Sequence, residues 1–149
     1  MIINRSKDDV EQALSIIRQK VQKFQELTEG ELETLRRGCP TVETWNRIEN
    51  KTKELHSIIS SMLYSVGEIN TKNWTNENVF FAEDFERILS NIEKLKKSFF
   101  VYENTPQTPP PRLDYTVFND MEKILFDLEN YVADVVGKYK ICGSAVCGE

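Results

Sequence analysis

The sequence predicts an all-α protein: an antiparallel four-helix bundle with a short extra helical turn and extended N- and C-terminal ends. Three observations carry that expectation. Trp45, Ile48, Thr52, Leu55, Ile59, Met62 and Val66 recur at alternating steps of three and four, which places them in one stripe on a helix. Three further stretches have the same spacing and are separated by Gly and Pro. At 149 residues the chain can bury one core without metal or disulfide staples, so one domain over 1–149 is expected.

Residues 1–5 read as an extended lead-in. Ser6 with Asp9 three residues on resembles a capping box, so the first helix should start near Lys7. Its inward stripe is Val10, Ala13, Leu14, Ile17, Val21, Phe24 and Leu27. Thr28 with Glu31 forms a second capping box. It opens a short helical turn carrying Leu32 and Leu35, which Gly38 and Pro40 stop. The central helix follows, capped by Thr41, with Glu43 in its first turn and an end at Gly67. From Glu68 to Val79 the apolar pattern breaks around Trp74, whose indole should close one end of the core.

Phe81, Phe85, Ile88, Ile92, Leu95 and Phe99 define a third main helix with an aromatic stripe facing Trp45 or Trp74. Residues 103–112 hold Pro106, Pro109, Pro110 and Pro111. Proline removes backbone donors and imposes extended geometry, so this stretch is a connector. The last helix begins after Asp114 or Thr116 and turns Phe118, Met121, Leu125, Leu128, Val132 and Val135 inward, with its end near Gly137. Residues 139–149 are glycine-punctuated. They read as an extended tail that could pair with Ile2 and Ile3 or with another chain.

The formal net charge of −5 provides no field to attract nucleic acid or anionic lipid, so no nucleic-acid partner is expected. Arg36 and Arg37, Lys94, Lys96 and Lys97, and Lys138 and Lys140 all sit near expected helix ends, where cations complement the C-terminal partial charge. No apolar run approaches the ~20 residues of a membrane span. The first residues lack a signal-peptide core, so no membrane insertion and synthesis in a cytoplasm are expected. Cys39, Cys142 and Cys147 form an odd set unlike the disulfide framework of a secreted domain.

Reactive constellations fail one by one. A dimetal bundle needs two Glu-x-x-His pairs, whereas this chain has one histidine, His56, with Lys53 where the Glu should stand. His56 and Ser60 at i,i+4 lack an orienting acid and oxyanion donors. Cys142 and Cys147 offer half of a zinc spacing, and no glycine-rich phosphate loop occurs. Glu43, Glu49, Glu54 and the acidic residues from 83 to 86 should lie on exposed faces, with Glu43 and Arg47 as an i,i+4 ion pair. No catalytic residue, cofactor or metal is expected, and the protein reads as non-enzymatic. The most informative polar group is Asn46, Arg47 and Glu49 beside Trp45, a rim that is either structural or a partner-binding surface. Tyr139, Ile141 and Val146 of the tail are the other candidate partner-binding residues.

Several motifs in order resemble a family of short proteins from the tail-structural region of phages and prophages of Gram-positive, especially clostridial, bacteria. They are Ile2-Ile3-x-Arg5 with Asp9-Val10, Trp45-Asn46-Arg47-Ile48-Glu49, and Lys72-Asn73-Trp74-Thr75. Leu113-x-Tyr115-Thr116 follows, then Asn119, Glu122 and Ile124-Leu125, and a close from Gly143 to Cys147-Gly148-Glu149. The chain departs from that pattern where Val79-Phe80-Phe81 replaces a Pro-Thr helix start. The resemblance implies a virion-associated component of a phage tail or tail-like particle, with no catalytic activity. It also implies other tail or baseplate proteins as partners, together with self-association into an oligomer. The alternative from the residues themselves is a cytosolic adaptor that binds a partner through its Pro-rich loop.

Overall fold

The computed structural model describes residues 1–144, with side chains placed through Lys138. Five α-helices and one 3-10 turn make up its regular structure, and no strand occurs among the described residues. The helices are α1 (Lys7–Gln19), α2 (Glu29–Gly38), α3 (Val42–Ser61), α4 (Ala82–Ser98) and α5 (Tyr115–Ser144), with the 3-10 turn at Val21–Lys23.

Local chemistry sets most of the helix starts. Ser6 accepts from the Asp9 N–H while the Asp9 carboxylate accepts from the Ser6 N–H, and Thr28 and Glu31 repeat the exchange at α2. Thr41 caps α3 through the Thr44 N–H. The Asp114 carboxylate accepts from the Thr116 N–H at 2.9 Å at the start of α5. At α4 the Asp84 carboxylate accepts from the Phe81 N–H, but Phe81 has no polar side chain with which to reciprocate.

The core lies where α3, α4 and α5 meet. Ile48, Leu55, Ile59, Ile88, Ile92, Leu95, Met121, Ile124, Leu125 and Leu128 are almost wholly withdrawn from solvent there. At roughly 1.5–3 kcal/mol per buried large apolar side chain, this seam is the main stabilising feature of the molecule.

These three helices run parallel, which corrects the expected antiparallel bundle. Near their N-terminal ends Trp45 lies 5.9 Å from Phe85 and 5.2 Å from Phe118, ring centre to ring centre. At the other end Tyr64, just beyond α3, lies 4.9 Å from Phe99, which lies 5.8 Å from Tyr131. The connectors explain how. Antiparallel neighbours need only short turns, whereas 62–81 and 99–114 are long enough to return along a whole helix. At 1.5 Å per residue the 17-residue α4 is about 25 Å long, a span that a few extended residues at ~3.3 Å each can cover.

Contacts along the connectors trace both return paths. Lys94 donates to the Glu68 carbonyl, Asn91 to the Asn70 carbonyl, and Lys72 to Asp84. In the second connector Tyr102 donates to Asp134, Thr105 to Asp127 and Thr108 to Glu93, while Lys96 donates to the Pro106 carbonyl. Of the cations expected near helix ends, Lys94 and Lys96 hold connectors against the flank of α4.

The α1–α2 hairpin stands apart from this core. α1 has its extended helix contact with α2, and of its expected inward stripe only Ala13 is fully buried. Gly38 allows the close approach. A Cβ there would fall 2.1 Å from the Asp9 carbonyl oxygen and 2.4 Å from the Ala13 Cβ. Arg37 clasps Asp9 with two hydrogen bonds of 3.1 and 3.3 Å, and Lys20 meets Glu31 at 2.7 Å.

Three helix ends differ from expectation. α1 stops at Gln19, short of Val21, Phe24 and Leu27 of its expected stripe, and a 3-10 turn ending in a left-handed Phe24 follows. α3 stops at Ser61, not at Gly67, because Leu63 enters the left-handed region at φ 67°. α5 runs through Gly137 to Ser144, since that glycine keeps a negative φ and so does not act as a stop. Residues 139–144 of the expected extended tail are thus helical, and 145–149 lie outside the described residues. The lead-in forms no strand; Ile2 donates its N–H to the Glu122 carboxylate instead.

Candidate interaction site at the N-terminal ends of the long helices

Trp45 occupies the first turn of α3, which turns it toward the starts of α4 and α5. Phe80 stacks on it with ring centres 4.0 Å apart, and Phe85, Phe118 and Trp74 close around it. One residue on, Asn46 points at the returning connector. Its amide donates to the Trp74 carbonyl at 2.8 Å and accepts from the Trp74 N–H at 2.7 Å, completing the backbone pairing of a residue that belongs to no helix or strand. The next turn of α3 presents Glu49, which accepts from the Trp74 indole at 3.3 Å and from Arg87 at 3.2 Å. Glu49 is buried rather than exposed as expected. Its charge is tolerable there because a guanidinium and an indole N–H both address it.

The second half of the site forms on α5. Glu122 is fully buried and receives Arg5 at 2.9 Å and Arg47 at 2.6 Å, together with the Ile2 N–H. Asn119, three residues earlier on α5, pairs with both backbone groups of Arg5 at 2.9 and 3.0 Å. The Arg5 guanidinium also lies 5.9 Å from the centre of the Phe118 ring. One carboxylate thus fixes the lead-in and α3 to α5. The expected partner of Arg47, Glu43, turns instead to Arg36 at 2.9 Å.

Of the residues read as partner-binding, Trp45, Asn46, Arg47 and Glu49 come together, with their bonding groups directed at the protein's own chain. Tyr139 and Ile141 fall in the last turns of α5, where side chains lie outside the described residues, and Val146 lies outside them altogether. Sequence reasoning missed Arg5, Arg87, Glu122 and Asp84 as members of the network. Arg87, Glu122 and Asp84 are charged residues beside an apolar stripe, Asp84 being buried where an exposed face was expected, and Arg5 lies in the lead-in before the first helix; neither setting gives warning that a distant segment will roof the position.

Two cavities border this end. One of about 360 Å³ lies among Arg5, Val10, Arg37, Cys39, Tyr115 and Phe118. Its guanidiniums are already paired, and burial pushes the Cys39 thiol up, which keeps it protonated and weakly nucleophilic. The other, of about 390 Å³, runs between Phe81, Phe85 and Glu86 on one side and Arg112 and Leu113 on the other. No group of three or more His, Cys, Asp or Glu is placed to hold a metal among the described residues, and none of the described helices is long and apolar enough to cross a membrane. Compared with protein-family models, curated proteins and solved structures, the chain matches none.

Proposed function

We propose that the protein is a non-enzymatic structural or interaction component of a phage tail or tail-like particle. The observation that carries the interaction reading is a contrast. The densest polar cluster is spent on holding the chain to itself, while Leu63, Val79, Phe81 and Leu113 stand largely in solvent. Large apolar side chains exposed at loops and helix ends suit docking to other proteins, and Phe81 and Leu113 line one groove. The particle setting rests on the motif resemblance. Residues from its separate motifs, Arg5, Trp45, Arg47, Glu49, Trp74, Asn119 and Glu122, meet in one network here, which supports treating them as one unit.

In this reading the three parallel helices form a rigid body, and tail or baseplate proteins bind its apolar outer positions. Strand addition at residues 139–144 plays no part, because they are helical. The Pro-rich segment acts as a strap along α4 and α5, since Thr105 and Pro109 are buried and its neighbours are hydrogen-bonded to both helices. An epitope-tagged chain expressed in a host that produces tail particles should co-sediment with purified particles. A doubly substituted F81S/L113S chain, folded by circular dichroism, should remain in the soluble fraction. Wild-type chain absent from every particle fraction would sink the proposal.

A further inference from the structure

The face of α1 left uncovered by α2 has the pattern of a coiled-coil seam. Val10, Leu14 and Ile17 follow one another on α1 at steps of four and three, and the next apolar side chains are Val21 in the 3-10 turn and Phe24, which ends that turn in the left-handed region. α2 covers a different line of the helix, running through Asp9, Ala13 and Lys20 to meet Arg37, Gly38 and Glu31. The seam is therefore left partly wet. Leu14 is 39% exposed, and beyond the end of α1 Val21 is 40% and Phe24 97% exposed.

We infer that a second copy of this chain covers the seam, its α1 lying antiparallel across the first about a twofold axis near Ser15 and Ile16. Charge supports self-pairing over a foreign partner. Glu11 and Arg18 lie one heptad apart on the same edge of the seam, so twofold symmetry sets each Glu11 beside the Arg18 of the other copy. Both are exposed and available. Glu11 has only a solvent-exposed pairing with Lys7 at 3.4 Å, and Arg18 has no ion-pair partner among the described residues. An antiparallel arrangement also opposes the two helix dipoles, and Leu14 of each copy then packs on Ile17 of the other. A hairpin unable to bury its own apolar face gains the missing layer, and two hairpins together make a four-helix contact. This dimer does not depend on the particle reading.

Sedimentation equilibrium over a wide concentration range tests it. The wild-type chain should reach a dimer, and L14S/V21S should remain monomeric with unchanged helical content, since both residues are exposed in the monomer. R18E should weaken dimerisation at least tenfold, and adding E11R to it should restore most of that loss by reversing both charges of each pair. A wild-type monomer at every concentration would overturn the inference. So would a dimer that L14S/V21S leaves intact, or an R18E defect that E11R fails to repair.

Discussion

The α1–α2 hairpin and the α3–α4–α5 core are written in the same sequence pattern and end in different environments. Both have apolar residues at helical spacing, and both begin with well-formed caps. In the core, three helices roof one another and the stripe residues are excluded from water; in the hairpin, two helices meet along a narrow line and leave a second stripe outside. A helix needs neighbours on more than one side to dry a stripe of ordinary width. The hairpin has one, so its stability should derive from the Gly38 contact and two ion pairs, whereas that of the core derives from area.

Substitutions should separate the two regions most strongly at the joint between them. Glu122→Ala leaves Arg5 buried without its counter-charge, and the expected loss is about 3–5 kcal/mol in chemical denaturation. A loss under about 1 kcal/mol would mean that this network behaves as an exposed one. Truncation within the apolar stripes comes next. Ile92→Ala should cost about 2–5 kcal/mol, while Leu14→Ala, measured on the monomer, should cost less than about 1 kcal/mol. Equal costs would erase the distinction between core and hairpin.

Gly38→Ala should cost about 1–3 kcal/mol through overpacking, and the damage should be local. Near-ultraviolet signals from Trp45 and Trp74, which sit in the core, should survive it. A substitution that collapses those signals would show the hairpin and core to be one cooperative body.

The smallest expected effect is acid weakening of the hairpin. Hydrogen bonds from Arg37 and Ser6 hold the Asp9 carboxyl at about 2 against an ordinary 3.8. Lys20 and Thr28 hold that of Glu31 at about 2 against 4.5. Both bind protons less readily when folded, so their contribution is complete above about pH 4.5 and fades as pH falls toward about 2. Proteolysis within α1 should accelerate over that window, and D9N should remove part of the pH dependence.

Much of this fold could be read from the residues because caps are local. Ser6 with Asp9, Thr28 with Glu31, and Thr41 fixed three helix starts before any packing was known. The inward faces of α3, α4 and α5 were legible for the same reason that a stripe is legible, except at Phe81, which precedes α4 as its N-cap and stands exposed. Helix direction was not, although the long stretches 62–81 and 99–114 held the signal, because an antiparallel turn has no use for that much chain. Gly67 and Gly137 misled because glycine stops a helix only when it enters the left-handed region. Leu63, an improbable residue for that region, takes it instead. At the candidate site Trp45 and its rim were visible as a cluster, whereas Glu122 and Arg87 were not, since their partners come from segments far away in sequence.

Amide hydrogen exchange, recorded on monomeric protein under native conditions, tests the two-region account most directly. Amides in the middle of α3, α4 and α5 should exchange only through global unfolding, and those of α1 should exchange through a local opening of distinctly lower free energy. Protection of α1 equal to that of the three long helices would contradict the account.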